Sequence, residues 1–237
     1  MVIDSSKCFN CKACVIACQL ANGVPSGLYR NWIKQATDED GGKEHFQPGN
    51  CMHCDNPTCV RACPTSATYK DEKDGTVKIN PGLCINCGSC VPACPYGARF
   101  NHPEKLVVDK CNFCEERRAR GEPVACVYVC PTQARSFGNI LDPKSDVARL
   151  LKKNKTVRVI NEKVDTEPNI YYISSTAPMN WPVEPIDPTP IQLWKNLADP
   201  IVRGLVGLTG LGVLVMLGKQ LLLEDAPPDS EDGKKEA

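Results

Sequence analysis

The chain has 237 residues, with 28 Lys and Arg against 28 Asp and Glu, so its formal net charge is zero. This balance gives no reason to expect nucleic acid as a partner, because nucleic-acid-binding proteins usually concentrate positive charge. Aromatic residues make up only 6%, whereas cysteine occurs 16 times. Packing alone does not account for so many cysteines, so disulfides or a metal centre must use them.

The cysteines fall into four groups of four along the chain. These are Cys8, Cys11, Cys14, Cys18; Cys51, Cys54, Cys59, Cys63; Cys84, Cys87, Cys90, Cys94; and Cys111, Cys114, Cys126, Cys130. Neighbours this close rarely form good disulfides, and zinc usually takes two spaced pairs rather than a triplet. The third group, followed by Pro95, matches the bacterial ferredoxin run C-x2-C-x2-C-x3-C-P. The spacing predicts iron–sulfur ligands, with zinc and disulfides as alternatives.

The segment from Thr65 to Leu83 separates groups two and three and alternates like a β-hairpin around Asp74-Gly75. This is the layout of a two-cluster ferredoxin, in which the fourth cysteine of each group ligates the other cluster. The analogy predicts crossed ligand sets within groups two and three and, by extension, within groups one and four. We name them site 1 (Cys8, Cys11, Cys14, Cys130), site 2 (Cys111, Cys114, Cys126, Cys18), site 3 (Cys51, Cys54, Cys59, Cys94) and site 4 (Cys84, Cys87, Cys90, Cys63).

Groups one and four depart from the ferredoxin run. Group one has Gln19 where proline is usual, and group four has an eleven-residue gap, Glu115 to Ala125. This gap predicts a short exposed helix that ends at Gly121. Its arginines at 117, 118 and 120 form either a solvated helix face or a docking edge.

No residue pattern indicates catalysis, since the chain has no Ser–His–Asp set, paired-carboxylate signature, P-loop or GxGxxG. His53 lies between two cysteines of group two, but four thiolates already complete each predicted site. We therefore predict a structural role for His53. His45 and His102 stand in polar, turn-like contexts and are predicted to lie on the surface.

Several segments resemble the four-cluster subunit of the complex iron–sulfur molybdoenzymes, and most closely its polysulfide reductase-type branch. The resemblance covers about Val2 to Pro143. The matching segments are DSSKC at 4–8, CMHCDNPTC at 51–59, CPYGAR at 94–99 and DKCNFC at 109–114. Members serve polysulfide, thiosulfate, tetrathionate, arsenate and dimethyl sulfoxide reductases, and relatives serve formate dehydrogenase, hydrogenase and nitrite reductase systems. Some relatives lack one cysteine in group four and carry a 3Fe–4S cluster. This chain keeps all of them, so four 4Fe–4S clusters are expected.

The resemblance implies an α+β fold of two ferredoxin-like 2×(4Fe–4S) modules, one inserted in the other. The outer module comprises 1–47 and 105–145, and the inserted module comprises 48–104. It also implies a non-catalytic subunit that relays electrons between a Mo- or W-pterin catalytic subunit and a polytopic quinone-interacting membrane subunit. We expect the cysteine-rich domain to be complete by about Asp142.

The C-terminal third changes character. Val147 to Leu151 reads as a short helix, and Val157–Ile160 and Ile170–Ile173 read as strands. Residues 146–198 are predicted to form an extension with a Pro-rich arm, Ala177 to Pro190, that lies on a partner's surface.

Residues 199–223 are predicted to form a transmembrane anchor helix, and 224–237 an acidic disordered tail. The segment Ile201 to Leu223 is roughly 34 Å long as a helix, although its uncharged part, Gly204 to Gly218, spans only about 22 Å. A buried helix of a soluble protein is the alternative.

The expected location is the membrane, where lipid would be a further partner. The iron–sulfur domain is expected on the periplasmic face by family analogy, and otherwise on the cytoplasmic face. Residues 1–7 lack the basic start and apolar run of a secretory signal, which fits a cytoplasmic protein or one exported already folded with a partner. Two other functions stay open: a formate dehydrogenase or hydrogenase beta subunit, and a free polyferredoxin that shuttles electrons between enzymes.

Overall fold

The computed structural model describes residues 1–37, 41–174, 182–186 and 199–223. The chain forms two compact units, Met1–Pro188 and Thr189–Ala237. The predicted acidic tail lies outside the described residues, as does most of the predicted Pro-rich arm.

Short helices and strands connect the cysteine loops of the first unit. The helices are α1 (Ala13–Asn22), α2 (Thr58–Arg61), α3 (Glu115–Ala119), α4 (Ala125–Tyr128) and α5 (Asp146–Lys153). The strands are β1 (Val2–Asp4), β2 (Asn31–Thr37), β3 (Glu44–Asn50), β4 (Thr68–Lys70), β5 (Val77–Ile79), β6 (Arg99–His102), β7 (Val107–Lys110), β8 (Arg135–Ser136), β9 (Thr156–Val157) and β10 (Tyr171–Ile173). The described strands form three two-stranded hairpins, β2–β3, β4–β5 and β6–β7, and one four-stranded sheet in the order β8-β1-β10-β9.

The four-stranded sheet joins distant parts of the sequence. Strand β1 pairs in parallel with β10, so that Ile3 lies opposite Tyr172, and antiparallel with β8. Ile3, Ile170 and Tyr172 are completely buried in the main core. The cysteine-rich domain is therefore not complete at Asp142 as expected, because residues beyond that point cover the open edge of β1 and fill the core.

The hairpin predicted between groups two and three is confirmed. Strands β4 and β5 pair in antiparallel register, and Gly75 adopts a left-handed backbone with φ of +66° between them. The Asp74 carboxylate accepts hydrogen bonds from the Thr76 backbone N–H and hydroxyl at 3.0 and 2.7 Å. The turn residues therefore close the hairpin through their own side chains.

Helix α1 explains the departure of group one from the ferredoxin run. Because Gln19 can donate a backbone hydrogen bond, the helix continues past Cys18 and ends only at Gly23, whose φ is +58°. The side chain of Gln19 donates a hydrogen bond from Nε2 to the Leu28 carbonyl at 3.0 Å. The short helix predicted in group four is also present as α3, and Gly121 follows it with a φ of +76°.

The surface prediction for His102 is wrong. Its side chain is completely buried at the end of β6. Nδ1 accepts hydrogen bonds from the backbone N–H groups of Glu104 and Lys105, at 3.3 and 3.2 Å, and so holds the turn that leads to β7. A polar turn needs acceptors for its backbone donors, and this histidine supplies one from inside the fold.

Part of the predicted Pro-rich arm lies on its own chain. The backbone N–H groups of Val183 and Ile186 donate to the carbonyls of Pro95 and Pro92, at 2.9 and 3.0 Å. Asn161 donates to the Pro182 carbonyl at 3.0 Å. Residues 182–186 therefore cover the end of cysteine group three.

The second unit contains helix α6 (Asp199–Leu223). The sequence predicts a helix with these bounds, and that prediction is confirmed. Within the part of the chain that the structure describes, no helix combines the length and apolar character that a bilayer crossing requires. The predicted transmembrane span is thus not found among those residues.

Candidate iron–sulfur sites

All four cysteine groups share one backbone feature. The residue just before the second cysteine has a positive φ in each group: Asn10 at 60°, His53 at 47°, Asn86 at 54° and Phe113 at 53°. Asparagine and histidine adopt this conformation more readily than most residues, whereas phenylalanine does so at a cost. Recurrence of the same left-handed bend four times indicates that the loops are shaped around a common group.

A second repeat follows the last cysteine of groups two, three and four. Each continues as Cys-Pro-x-x-Ala into a strand, and the residue three places after the cysteine has a positive φ. The backbone N–H of that residue donates to the cysteine carbonyl in all three turns. Backbone N–H groups further along donate to the thiol sulfurs, from Thr68 to Cys63 at 3.5 Å and from Ala134 to Cys130 at 3.3 Å. Such donors stabilise a thiolate ligand.

The fold brings together the predicted crossed sets. The four cysteines of site 1 line one small cavity. In site 2, burial and then the charges of Cys111, Cys126 and Cys114 raise the pKa of Cys18. In site 3, burial raises the pKa of Cys94 to about 11, and the charges of Cys59 and Cys51 add to this shift.

In site 4, burial raises the pKa of Cys90, and the charges of Cys59 and Cys63 add to this shift. Cys63, the crossed ligand of site 4, therefore lies near Cys90. These contacts support the predicted ligand sets, which remain predictions for each thiol.

The same interactions place the sites in a row. Cys14 of site 1 interacts with Cys126 of site 2, and Cys111 of site 2 interacts with Cys51 of site 3. Cys59 of site 3 interacts with Cys90 of site 4. The order along the molecule is therefore 1-2-3-4.

Exposure follows this order. Cys11 of site 1 and Cys87 of site 4 are exposed, whereas every cysteine of site 2 is buried and site 3 has only Cys94 partly exposed. The two ends of the row thus reach solvent, and its middle does not.

His53 has the structural role that the sequence predicts. Its ring is buried and stacks on Phe113, with ring centroids 3.9 Å apart. Nδ1 accepts a hydrogen bond from the Val77 backbone N–H at 3.0 Å. Burial, together with the charge of Lys110, holds the pKa of His53 well below its usual value. It joins the loop of group two to the loop of group four.

Two side chains that sequence reasoning missed donate hydrogen bonds to site 3. Arg99 donates from Nη2 to the Cys59 sulfur at 3.0 Å, and the Thr166 hydroxyl donates to the Cys54 sulfur at 3.0 Å. A signal for Arg99 was present, because it occupies the position after Cys-Pro-x-x-Ala in group three. Thr166 gave no signal, since it lies far along the chain from any cysteine.

We expect Thr166→Val to lower the midpoint potential of the cluster at site 3. Valine keeps the shape of threonine but donates no hydrogen bond, and hydrogen bonds to cluster ligands are one factor that sets the potential. The potential is measured by a redox titration followed by electron paramagnetic resonance (EPR). Thr156→Val, on strand β9, is the matched control. An unchanged potential in Thr166→Val would contradict the assignment of this donor.

The donor set fits iron–sulfur clusters. Sulfur is the ligand that such clusters use, and the buried thiols need a metal to lose their protons, because burial raises their pKa values, to about 12 for Cys54. Among the described residues, no group of three or more His, Cys, Asp or Glu side chains is close enough to hold a single metal ion. When bound, the clusters accept and release single electrons.

Comparisons with known proteins agree with this geometry. Two family models, each described as a 4Fe-4S dicluster domain, match residues 43–140 and 7–67. The B component of polysulfide reductase from Wolinella succinogenes is 41% identical over 178 residues, which cover 73% of this chain and 92% of the relative. The B component of tetrathionate reductase from Archaeoglobus fulgidus is 46% identical over 176 residues, 74% of this chain and 82% of the relative. The thiosulfate reductase electron transfer subunit PhsB of Salmonella typhi is 40% identical over 163 residues, which cover 67% of this chain and 83% of the relative.

Two dicluster domains and sixteen cysteines define the class of protein: an electron carrier that holds four 4Fe–4S clusters. The relatives are named as B components or electron-transfer subunits of reductases, not as catalytic subunits. The protein belongs to the family of iron–sulfur electron-transfer subunits of the polysulfide, tetrathionate and thiosulfate reductase type.

Proposed function

We propose that this chain relays single electrons between a Mo- or W-pterin catalytic subunit and a quinone-reactive membrane subunit of a respiratory oxidoreductase. The observation that carries the proposal is the row of four sites with exposed cysteines at its two ends only. A relay between two fixed partners needs one accessible site for each of them and a protected path between.

The surface around each end suits a protein partner. Phe9, next to site 1, is 57% exposed, and Ile85, next to site 4, is 65% exposed. Exposed apolar side chains beside a functional group are typical of docking surfaces. Each end therefore offers an exposed apolar residue that follows a predicted cluster ligand in the sequence.

The location at the membrane belongs to the same proposal. We place the iron–sulfur domain beside the membrane subunit, on the periplasmic face. The support for this is the sequence resemblance to the four-cluster subunits.

Purification of the tagged full chain from native membranes, under anaerobic conditions and in detergent, tests the proposal. We expect a large pterin-binding subunit and a polytopic membrane subunit to copurify. In Ile85→Asp, one of the two should be retained at least tenfold less, because a buried charge at an interface without a partner is unfavourable. Leu141→Asp is the control. Leu141 is 85% exposed and lies outside the four cysteine groups in the sequence.

The recovery of the chain alone in the soluble fraction would reject the membrane complex and favour a free polyferredoxin. Equal retention of both subunits in Ile85→Asp and Leu141→Asp would reject the end of site 4 as a docking surface.

A further inference from the structure

Three buried cations lie between successive sites. Arg135, Lys110 and Arg99 have exposed fractions of 2%, 3% and 4%. Charged side chains this deep are rare unless an anion compensates them. Each therefore needs a source of negative charge.

Arg99 lies between sites 3 and 4. Its guanidinium donates to the Cys59 sulfur of site 3 at 3.0 Å and to the Thr68 hydroxyl at 3.2 Å. Although burial opposes its charge, the thiols of Cys59 and Cys90 raise the pKa of Arg99, and Cys90 belongs to site 4. Its Nε has no hydrogen-bond partner.

Arg135 lies between sites 1 and 2 in the same way. It follows Cys-Pro-x-x-Ala in group four, just as Arg99 does in group three. Burial opposes its charge, and the thiols of Cys126 in site 2 and Cys14 in site 1 raise the pKa of Arg135. Nη1 donates to Asn50 at 3.0 Å, whereas Nη2 has no partner.

Lys110 lies at the remaining junction, between sites 2 and 3. Nζ donates to the carbonyl of Val77 and, at 2.9 Å, to that of Cys111. Burial lowers the pKa of Lys110, while the thiols of Cys51 in site 3 and Cys111 in site 2 counteract this effect.

Among the described residues, no carboxylate forms an ion pair with any of these three cations. The nearby Arg30 is different, because it forms a two-pronged ion pair with Asp109 at 2.7 and 3.0 Å. The negative charge that faces the three cations comes instead from the cysteine ligands of the sites on either side.

We propose that Arg135, Lys110 and Arg99 form a series of fixed positive charges, one at each junction, that raise the reduction potentials of the sites they separate. Reduction adds one negative charge to a site, so a buried cation beside it favours the reduced state. A cation at a junction acts on both adjoining sites, so it raises both potentials. The proposal rests on the ligand sets given above.

The test is an EPR redox titration of the full chain, purified anaerobically. In Arg99→Gln we expect the reduction equilibrium constant of site 3 or site 4 to fall at least tenfold, which corresponds to about 59 mV for one electron. The potentials of sites 1 and 2 should stay unchanged. Arg135→Gln should give the reverse pattern, with shifts at site 1 or 2 only.

Arg99→Lys keeps the charge and should keep the potentials, which separates the effect of charge from that of packing. Arg149→Gln makes the same neutral substitution on helix α5, where the side chain is 66% exposed, and should shift no potential. Iron and sulfide content is measured for every variant. If Arg99→Gln does not load its clusters, the Lys110→Met variant is titrated instead. The potential of site 2 or site 3 must then shift.

Unchanged potentials in a fully loaded neutral variant would overturn the proposal, as would equal shifts in Arg99→Gln and Arg99→Lys. Because the potentials are measured on the chain without its partners, this result is independent of the docking proposal.

Discussion

Cys94→Ala is expected to lose the cluster at site 3, although Cys94 belongs in sequence to the group that forms most of site 4. The reason is the crossed arrangement, in which burial and the charges of Cys59 and Cys51 raise the pKa of Cys94. Loss of a ligand removes the cluster or leaves an incomplete one, which changes both the iron content and the EPR spectrum.

Two reference variants identify which cluster is lost. Cys54→Ala removes a ligand of site 3 and Cys87→Ala removes a ligand of site 4 in either arrangement. The spectrum of Cys94→Ala should match that of Cys54→Ala, and the spectrum of Cys63→Ala should match that of Cys87→Ala. If Cys94→Ala matched Cys87→Ala instead, the ligand sets would be uncrossed and sites 3 and 4 would have to be redrawn.

A chain that stops after residue 142 is expected to fail to hold its clusters. This truncation removes strand β10, the partner of β1 along one edge, together with the buried Ile170 and Tyr172. Burial of those two side chains alone is worth about 1.5–3 kcal/mol each, against a total stability of about 5–15 kcal/mol for a typical domain. The truncation also removes the Thr166 donor to site 3.

A chain that stops after residue 188 is the control, because it retains the whole first compact unit. We expect full iron content in this variant and a large loss in the shorter one, measured as iron and sulfide per chain after anaerobic purification. The time course of cluster loss at raised temperature gives a second measure. Full and stable loading of the 142-residue chain would show that residues 143–188 are dispensable for the core.

Local chemistry explains which elements were predictable from the sequence. The hairpin at Asp74-Gly75, the stop at Gly121 and helix α5 depend on neighbouring residues, whose turn and capping preferences can be read directly. Helix α5 begins after a capping serine, since the Ser145 hydroxyl accepts from the Ala148 backbone N–H at 3.1 Å.

The missed features depend on contacts between distant residues. Nothing near Tyr171 indicates that it lies beside Val2, because the parallel pairing of β10 with β1 is set by the whole chain. His102 looks like a surface residue until β6 and β7 enclose it. Arg99 can be singled out by its position after Cys-Pro-x-x-Ala, but only the fold places its guanidinium beside the Cys59 sulfur.

The predicted crossed ligand sets constrain how the protein matures during synthesis. Sites 3 and 4 draw all their ligands from residues 51–94, so they can be filled while the rest of the chain is still being made. Site 1 needs both Cys8 and Cys130, and strand β1, which lies just before Cys8 in the sequence, can pair with β10 only after residues 171–173 have been made. The inner pair of clusters can therefore be inserted before the outer pair, whereas the N-terminal cysteines lack their last predicted ligand until Cys130 has been made.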